Sequence, residues 1–99
     1  IKIGINNDRG WVSYLNKEQL FVKRYTHYEG AKYPDFGVSY ETYTNDKIME
    51  IESLGYLKVL KKGDSISHDE TWELIPCEEN FDRKDMSSVD NFVKKHIEN

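Results

Sequence analysis

The chain is poor in several residue types, and each shortage excludes a class of protein. Its 99 residues include one cysteine, Cys77, which excludes an internal disulfide framework and a zinc site built from cysteines. Alanine occurs once, whereas Val, Ile, Thr, Tyr, Phe and Trp together number 31, so the composition favours sheets over helices. No run of 18 apolar residues is present, so no membrane-spanning helix is expected. The lone cysteine is typical of a reducing compartment, and we predict a cytoplasmic protein.

Charge is distributed unevenly along the chain. The net charge is −4, residues 1–50 balance to zero, and the whole excess of acid therefore lies in residues 51–99. We interpret the acidic stretch between Asp69 and Asp90 as a solvated surface that favours solubility. General nucleic-acid binding is excluded because it depends on clustered Lys and Arg.

Alternating apolar residues separated by turn formers predict a mostly β protein. In the first strand, Ile1, Ile3 and Ile5 would form one half-buried face. Close strand spacing predicts an antiparallel meander or sandwich, for which we take the sandwich, and its exposed edges predict a homodimer or strand-exchanged oligomer. The predicted strands are 1–5, 11–15, 20–28, 38–43, 48–53, 56–60 and 65–75.

The hydrophobic period changes after Pro76 and indicates one C-terminal α-helix over 87–97, capped by Ser87 or Ser88. We therefore predict a β-domain at 1–76, followed at 77–99 by an acidic linker and a helix that packs on the same domain. Because the chain begins inside a strand-like alternation without an initiator methionine, we also expect it to be part of a longer protein.

Glu41 is the first candidate functional residue because glutamate is disfavoured within a strand. The alternation places Ser39, Glu41 and Tyr43 on one face and Tyr40 on the other. If the Glu41 face lines a cleft, Glu41 could act as a general base or bind sugar hydroxyl groups. If that face is solvated, Glu41 is a surface residue.

A second candidate group lies on the predicted strand 65–75, where His68, Glu70 and Trp72 share a face. Trp72 is either a core residue or a stacking platform, and His68 is either a proton-transfer group, a metal ligand or a solvated residue at a strand end. Together with His27 and Glu29, this group could in principle supply four ligands of a cupin-like metal site. We nevertheless expect no metal and no cofactor.

Tyrosine and phenylalanine concentrate around Pro34, and they suit either sugar stacking or cross-strand packing. Several segments resemble the carboxy-terminal portion of uncharacterised bacterial proteins of the galactose mutarotase (aldose 1-epimerase-like) superfamily. The segments that carry this resemblance are Gly10–Leu15, Leu20–Arg24, Tyr33–Gly37, Glu41–Asn45, Glu50–Gly55 and Trp72–Leu74.

The resemblance implies a β-supersandwich of which this chain is the final part, with a concave sugar-binding face. It also implies an aldose 1-epimerase-like isomerase in which the glutamate of a Glu-Thr dipeptide is the catalytic base. Glu41-Thr42 resembles that dipeptide, although Tyr43 and the residues after it depart from the family pattern. The histidines that act as acids in that family would lie outside this chain, so we expect the isolated chain to lack catalysis.

The leading prediction is therefore a carbohydrate-binding segment in which Glu41 is the main polar contact. Tyr43, Tyr40, Trp72 and His68 are the predicted substrate-binding residues. The alternative is a non-catalytic β-sandwich domain that mediates self-association or protein interaction. A carbohydrate ligand is the predicted partner, with no nucleic acid and no membrane.

Overall fold

The computed structural model describes all residues, 1–99, and shows a mostly β chain with six strands in two antiparallel sheets and a C-terminal helix. The predicted fold class is confirmed at this level. The elements are β1 (Lys2–Ile5), β2 (Trp11–Asn16), β3 (Gln19–Tyr25), α1 (Pro34–Gly37), β4 (Tyr40–Thr44), β5 (Met49–Ser53), β6 (Glu70–Pro76) and α2 (Met86–His96).

The first sheet has the strand order β1-β4-β5, so β4 is central and β1 and β5 are its edges. In the β1–β4 register, Gly4 lies opposite Glu41 and Lys2 lies opposite Tyr43. The residues of an antiparallel pair share a face, so these four side-chain positions lie on one surface of the sheet. We call this surface the charged face.

The second sheet has the strand order β2-β3-β6. Strands β2 and β3 form the predicted hairpin, and the turn between them consists of Lys17 and Glu18, at φ 50° and 62°. Two successive left-handed residues are typical of a type I′ hairpin turn, where Asn-Gly is the preferred pair. The turn therefore carries backbone strain.

Helix α2 extends over Met86–His96, close to the predicted range, but its N-terminal cap was predicted wrongly. The carboxylate of Asp85 accepts a hydrogen bond from the Ser87 N–H at 3.1 Å. The hydroxyl group of Ser88 accepts instead from the Asp82 N–H, at 2.9 Å. Asp85 thus takes the capping role expected of Ser87 or Ser88.

Two compact units divide the chain. The first consists of Ile1–Val12 and Lys23–Thr71, and the second of Ser13–Val22 and Trp72–Asn99. The second unit has an apolar core whose buried side chains are Leu20, Val22, Cys77, Phe92 and Ile97. The buried side chains of the first unit all carry polar groups: Lys23, Tyr25, Tyr33, Ser39 and Glu41.

Three details of the strand prediction were wrong. Residues 56–60 are not a strand, and their only backbone hydrogen bond to another segment runs from the Leu57 N–H to the Lys32 carbonyl group, at 2.7 Å. Strand β6 begins at Glu70, so 65–69 are also irregular. Ile1, Ile3 and Ile5 are exposed instead of half-buried, and β1, on which Ile3 and Ile5 lie, is an edge strand of its sheet.

Candidate functional site

Glu41 lies in the middle of the central strand β4, and its side chain is buried although the residue is charged. Only 4% of the residue is exposed, and its Oε2 atom lies 3.0 Å from Nζ of Lys2. The hydrogen bond and the negative charge of Glu41 raise the pKa of Lys2 above its usual value. A buried carboxylate requires such a partner, because an unpaired charge would lose its hydration without compensation.

Glycine at position 4 allows the side chain of Val38 to pack closely against β1 beside this ion pair. A Cβ atom at Gly4 would lie 3.1 Å from Cγ1 of Val38, closer than such atoms normally approach. Val38 therefore packs directly over the β1 backbone, beside the Glu41 position of the charged face.

The turn α1 approaches the same place in an unusual backbone conformation. Asp35, Phe36 and Gly37 have successive φ values of 52°, 68° and 94°, so three residues in a row are left-handed. The turn is closed by a hydrogen bond from the Val38 N–H to the Pro34 carbonyl group, at 3.1 Å. Glycine adopts this conformation without a steric cost and aspartate tolerates it, whereas Phe36 is strained.

The strain at Phe36 is not compensated by packing. Its side chain is fully exposed, with a relative accessibility of 109%. An exposed aromatic ring held in a disfavoured backbone conformation contributes nothing evident to folding. Strained residues of this kind cluster at binding sites, which makes Phe36 a functional candidate.

Asp35 and Glu41 form a pair of carboxyl groups. The hydrogen bond with Glu41, and then the charge of Glu41, raise the pKa of Asp35 above its usual value, while Lys2 opposes this effect. When Asp35 is protonated, its hydroxyl group can donate to the Glu41 carboxylate. The site thus places two carboxyl groups and an ammonium group next to one another.

These groups line an open depression of about 460 Å³, which we call the Glu41 depression. Its volume is within the range of small-molecule sites. The carboxyl groups can accept hydrogen bonds from ligand hydroxyl groups, Lys2 can donate one, and Phe36 offers an apolar ring face. The lining residues are Lys2, Gly4, Asp35, Phe36, Val38 and Glu41.

The predicted site residues lie in four different places. Tyr43 shares the charged face with Glu41, and its hydroxyl group accepts a hydrogen bond from Asn45 at 3.4 Å. Tyr40 lies on the opposite face of β4, paired in register with Ser53. Trp72 belongs to the second compact unit, where its ring meets Phe21 edge-on at 5.9 Å.

His68 belongs to a separate polar cluster within the first unit. Its Nε2 atom lies 2.8 Å from Oγ of Ser53, and Ser53 also donates a hydrogen bond to Glu70. The carboxylate of Glu70 is paired with the buried Lys23 ammonium group at 3.1 Å. We call these four residues the Ser53 cluster.

The Ser53 cluster contains a serine, a histidine and a carboxylate, but their connections differ from those of a hydrolytic triad. In such a triad the acid holds the imidazole, and the imidazole takes the serine proton. Here Glu70 accepts a hydrogen bond from the Ser53 hydroxyl group, and its Oε2 atom lies 3.9 Å from Nε2 of His68. The serine proton is thus committed to the carboxylate, and the cluster is better suited to holding β5 in place than to nucleophilic attack.

The structure brings no metal ligands together. His27 stacks on Tyr33, with 5.2 Å between ring centroids, and its Nε2 atom lies 2.9 Å from Oδ1 of Asn6. No group of three or more His, Cys, Asp or Glu side chains could hold a metal ion. Nor is any helix long and apolar enough to cross a membrane.

Reasoning from the sequence identified Glu41 but missed Lys2, Asp35 and Phe36. The Lys2 contact depends on the β1–β4 pairing, which joins positions 39 residues apart. A signal for the other two was present in the Pro34-Asp35-Phe36-Gly37 segment, where an acid and an aromatic residue occupy a proline-glycine turn.

Comparison of the chain with protein-family models, curated proteins and solved structures found no match. The function must therefore be argued from the geometry of the Glu41 depression.

Proposed function

We propose that the Glu41 depression binds a carbohydrate, with Glu41 as the main polar contact and Phe36 as the stacking surface. The observation that carries the proposal is the combination of a buried, lysine-paired carboxylate with a strained and fully exposed aromatic ring at one small depression. A pyranose ring presents hydroxyl groups at its rim and C–H groups on its faces. Carboxylates and an aromatic ring complement these two features.

The polar groups of the depression match a row of neighbouring hydroxyl groups. The Glu41 carboxylate accepts from one hydroxyl group and Lys2 donates to the oxygen of the next. The Asp35 carboxyl group accepts a hydrogen bond from a ligand hydroxyl group when it is ionised and donates one to a ligand oxygen when it is protonated. Tyr43, which lies further along the charged face, is positioned to contact a larger ligand.

The resemblance to mutarotases accords with a sugar ligand, and Glu41 is the residue that would act as base in that reaction. Ring opening also requires an acid at the ring oxygen. No histidine lines the depression, so we propose that this chain binds a sugar without catalysing a reaction. The alternative, a non-catalytic β-sandwich domain for self-association or protein interaction, is less favoured because self-association gives no role to the strained Phe36 at this depression.

The experiment is an NMR titration of the ¹⁵N-labelled chain with galactose and glucose, with a non-cyclic polyol as the ligand control. We expect shift changes confined to residues 2–4, 35–38 and 41, and their loss in Glu41→Gln and in Phe36→Ala. Phe36→Ala is informative even if Glu41→Gln is destabilised, because the Phe36 ring packs on nothing.

Glu50→Gln is the matched control for Glu41→Gln. Glu50 is exposed and lies opposite Tyr43 in the β4–β5 register, so the substitution removes the same charge on the same face of the sheet. Binding should survive in this variant. Absence of sugar-induced shifts in the wild-type chain, or equal losses in Glu41→Gln and Glu50→Gln, would overturn the proposal.

A further inference from the structure

Strand β1 is an open edge with an apolar surface. It has β4 on one side and no strand on the other. On the face opposite the charged face, Ile1, Ile3 and Ile5 are exposed to 82%, 54% and 49%. Exposed edges of this kind pair readily with another strand.

The hydrogen-bonding pattern shows which backbone groups of β1 point outwards. Ile1 and Thr44 exchange both backbone hydrogen bonds, at 3.1 and 3.0 Å. Hydrogen-bonded and non-hydrogen-bonded pairs alternate along an antiparallel ladder, so the backbone N–H and C=O groups of Ile3 also point towards β4. The N–H and C=O groups of Lys2 and Gly4 therefore point away from the sheet.

We propose that β1 pairs with β1 of a second copy of this chain, in an antiparallel register centred on Ile3. In this register Lys2 lies opposite Gly4 of the other copy, and their outward N–H and C=O groups exchange hydrogen bonds. By symmetry the same bonds form twice. The two sheets join into one six-stranded sheet with the order β5-β4-β1-β1-β4-β5.

The side chains of β1 are complementary to themselves in this register. Ile3 lies opposite Ile3 of the second copy, and Ile1 lies opposite Ile5, so six isoleucines form one apolar row. On the charged face each Lys2 lies opposite a glycine, which avoids a like-charge contact. A second copy thus satisfies the backbone, the apolar face and the charges of β1 together.

The other edge of this sheet, β5, is protected against the same pairing. Its outward carbonyl group at Ile51 already accepts a hydrogen bond from the Lys23 Nζ atom, at 2.6 Å. The equivalent symmetric register centred on Ile51 would place Glu50 opposite Glu52 twice, and like charges directly opposite are destabilising. The contrast between the two edges favours β1 as the docking strand.

The interface is small, so we expect a weak dimer in rapid exchange. Sedimentation equilibrium from about 10 µM to about 1 mM should show a monomer–dimer equilibrium. This concentration range detects dimers whose dissociation constants fall within it. Ile3→Lys places two lysines opposite each other at the symmetry axis and should leave the chain monomeric. Ile48→Lys is the matched control, since Ile48 is equally exposed, at 53%, and lies outside β1.

Disulfide trapping tests the register itself. Non-hydrogen-bonded partners have Cα atoms about 4.5 Å apart, within the range of a disulfide. Oxidation of Ile3→Cys should therefore give a covalent dimer through position 3, identified by peptide mass spectrometry with Cys77 retained. In Ile5→Cys the two introduced thiols would lie about 14 Å apart along the strands and should not cross-link at the same rate.

A monomer at every concentration, an unchanged dimer in Ile3→Lys, or equal cross-linking of Ile3→Cys and Ile5→Cys would overturn the proposal. Ile3 and Ile5 lie on the face opposite the Glu41 depression, so these variants leave the side chains that line the depression unchanged.

Discussion

Replacement of Phe36 by glycine should stabilise the chain and abolish sugar binding at the same time. A non-glycine residue in the left-handed region costs about 1–2 kcal/mol, and the Phe36 ring buries no surface that could offset this cost. Glycine also makes the unfolded chain more flexible, which lowers the free energy of unfolding by about 0.5–1 kcal/mol and offsets part of this gain. The net expectation is an increase of about 0.5–1 kcal/mol in the free energy of unfolding.

Urea denaturation followed by circular dichroism measures this change in the free energy of unfolding. In a thermal melt, the melting temperature should rise by about 4 °C for a chain of this length. Phe36→Tyr is the control, because it keeps both the ring and the strain and should leave stability and binding unchanged. Destabilisation by Phe36→Gly would show that the ring packs against the fold. Full sugar affinity in Phe36→Gly would show that the ring is not a binding surface.

Three further predictions concern the stability of the fold. The double variant Lys17→Asn with Glu18→Gly keeps the net charge and replaces two left-handed residues by the pair that a type I′ turn prefers. Urea denaturation should show an increase of about 1 kcal/mol in the free energy of unfolding, and no increase would refute the proposed turn strain. Ser39→Ala should lower the free energy of unfolding by about 1–3 kcal/mol in the same assay, because the part-buried Asn7 N–H group loses the Ser39 hydroxyl acceptor at 2.8 Å. A cost near zero would show that this hydrogen bond does not stabilise the fold. The pKa of Glu79 is lowered from about 4.5, first by the hydrogen bond from Lys95, so its contribution to stability is present above pH 4.5 and is lost as the pH falls through the lower folded value. Between pH 6 and 3 the free energy of unfolding should therefore decrease less steeply with falling pH in Glu79→Gln than in the wild-type chain. Equal pH dependence in the two chains would refute the assignment.

Local patterns were sufficient to predict most of the regular structure. The alternation at Trp11–Asn16 and the 3.6-residue period of α2 each reflect burial of one side, and both elements lie close to the predicted ranges. The stretch 56–60 was predicted as a strand but pairs with none, and its backbone bonds to another segment only through Leu57 and Lys32. Periodicity reports the preference of a segment and not the presence of a partner.

The candidate site was only partly predictable for a related reason. Glu41 was identified because an acid within a strand is unusual. Its partners were missed because Lys2 meets it through strand pairing, and Asp35 and Phe36 meet it through a left-handed turn. Neither the pairing register nor a left-handed conformation at a non-glycine residue can be derived from composition or spacing.

The most direct test of the central claim is a measurement of which protons of the chain touch a bound sugar. In the ¹³C-filtered NOE spectrum of the labelled chain with saturating galactose, we predict intermolecular NOEs from the Phe36 ring and the Glu41 side chain to sugar C–H protons. NOEs that arise instead from the Ser53 cluster or from Trp72, or a spectrum without intermolecular NOEs, would contradict the account.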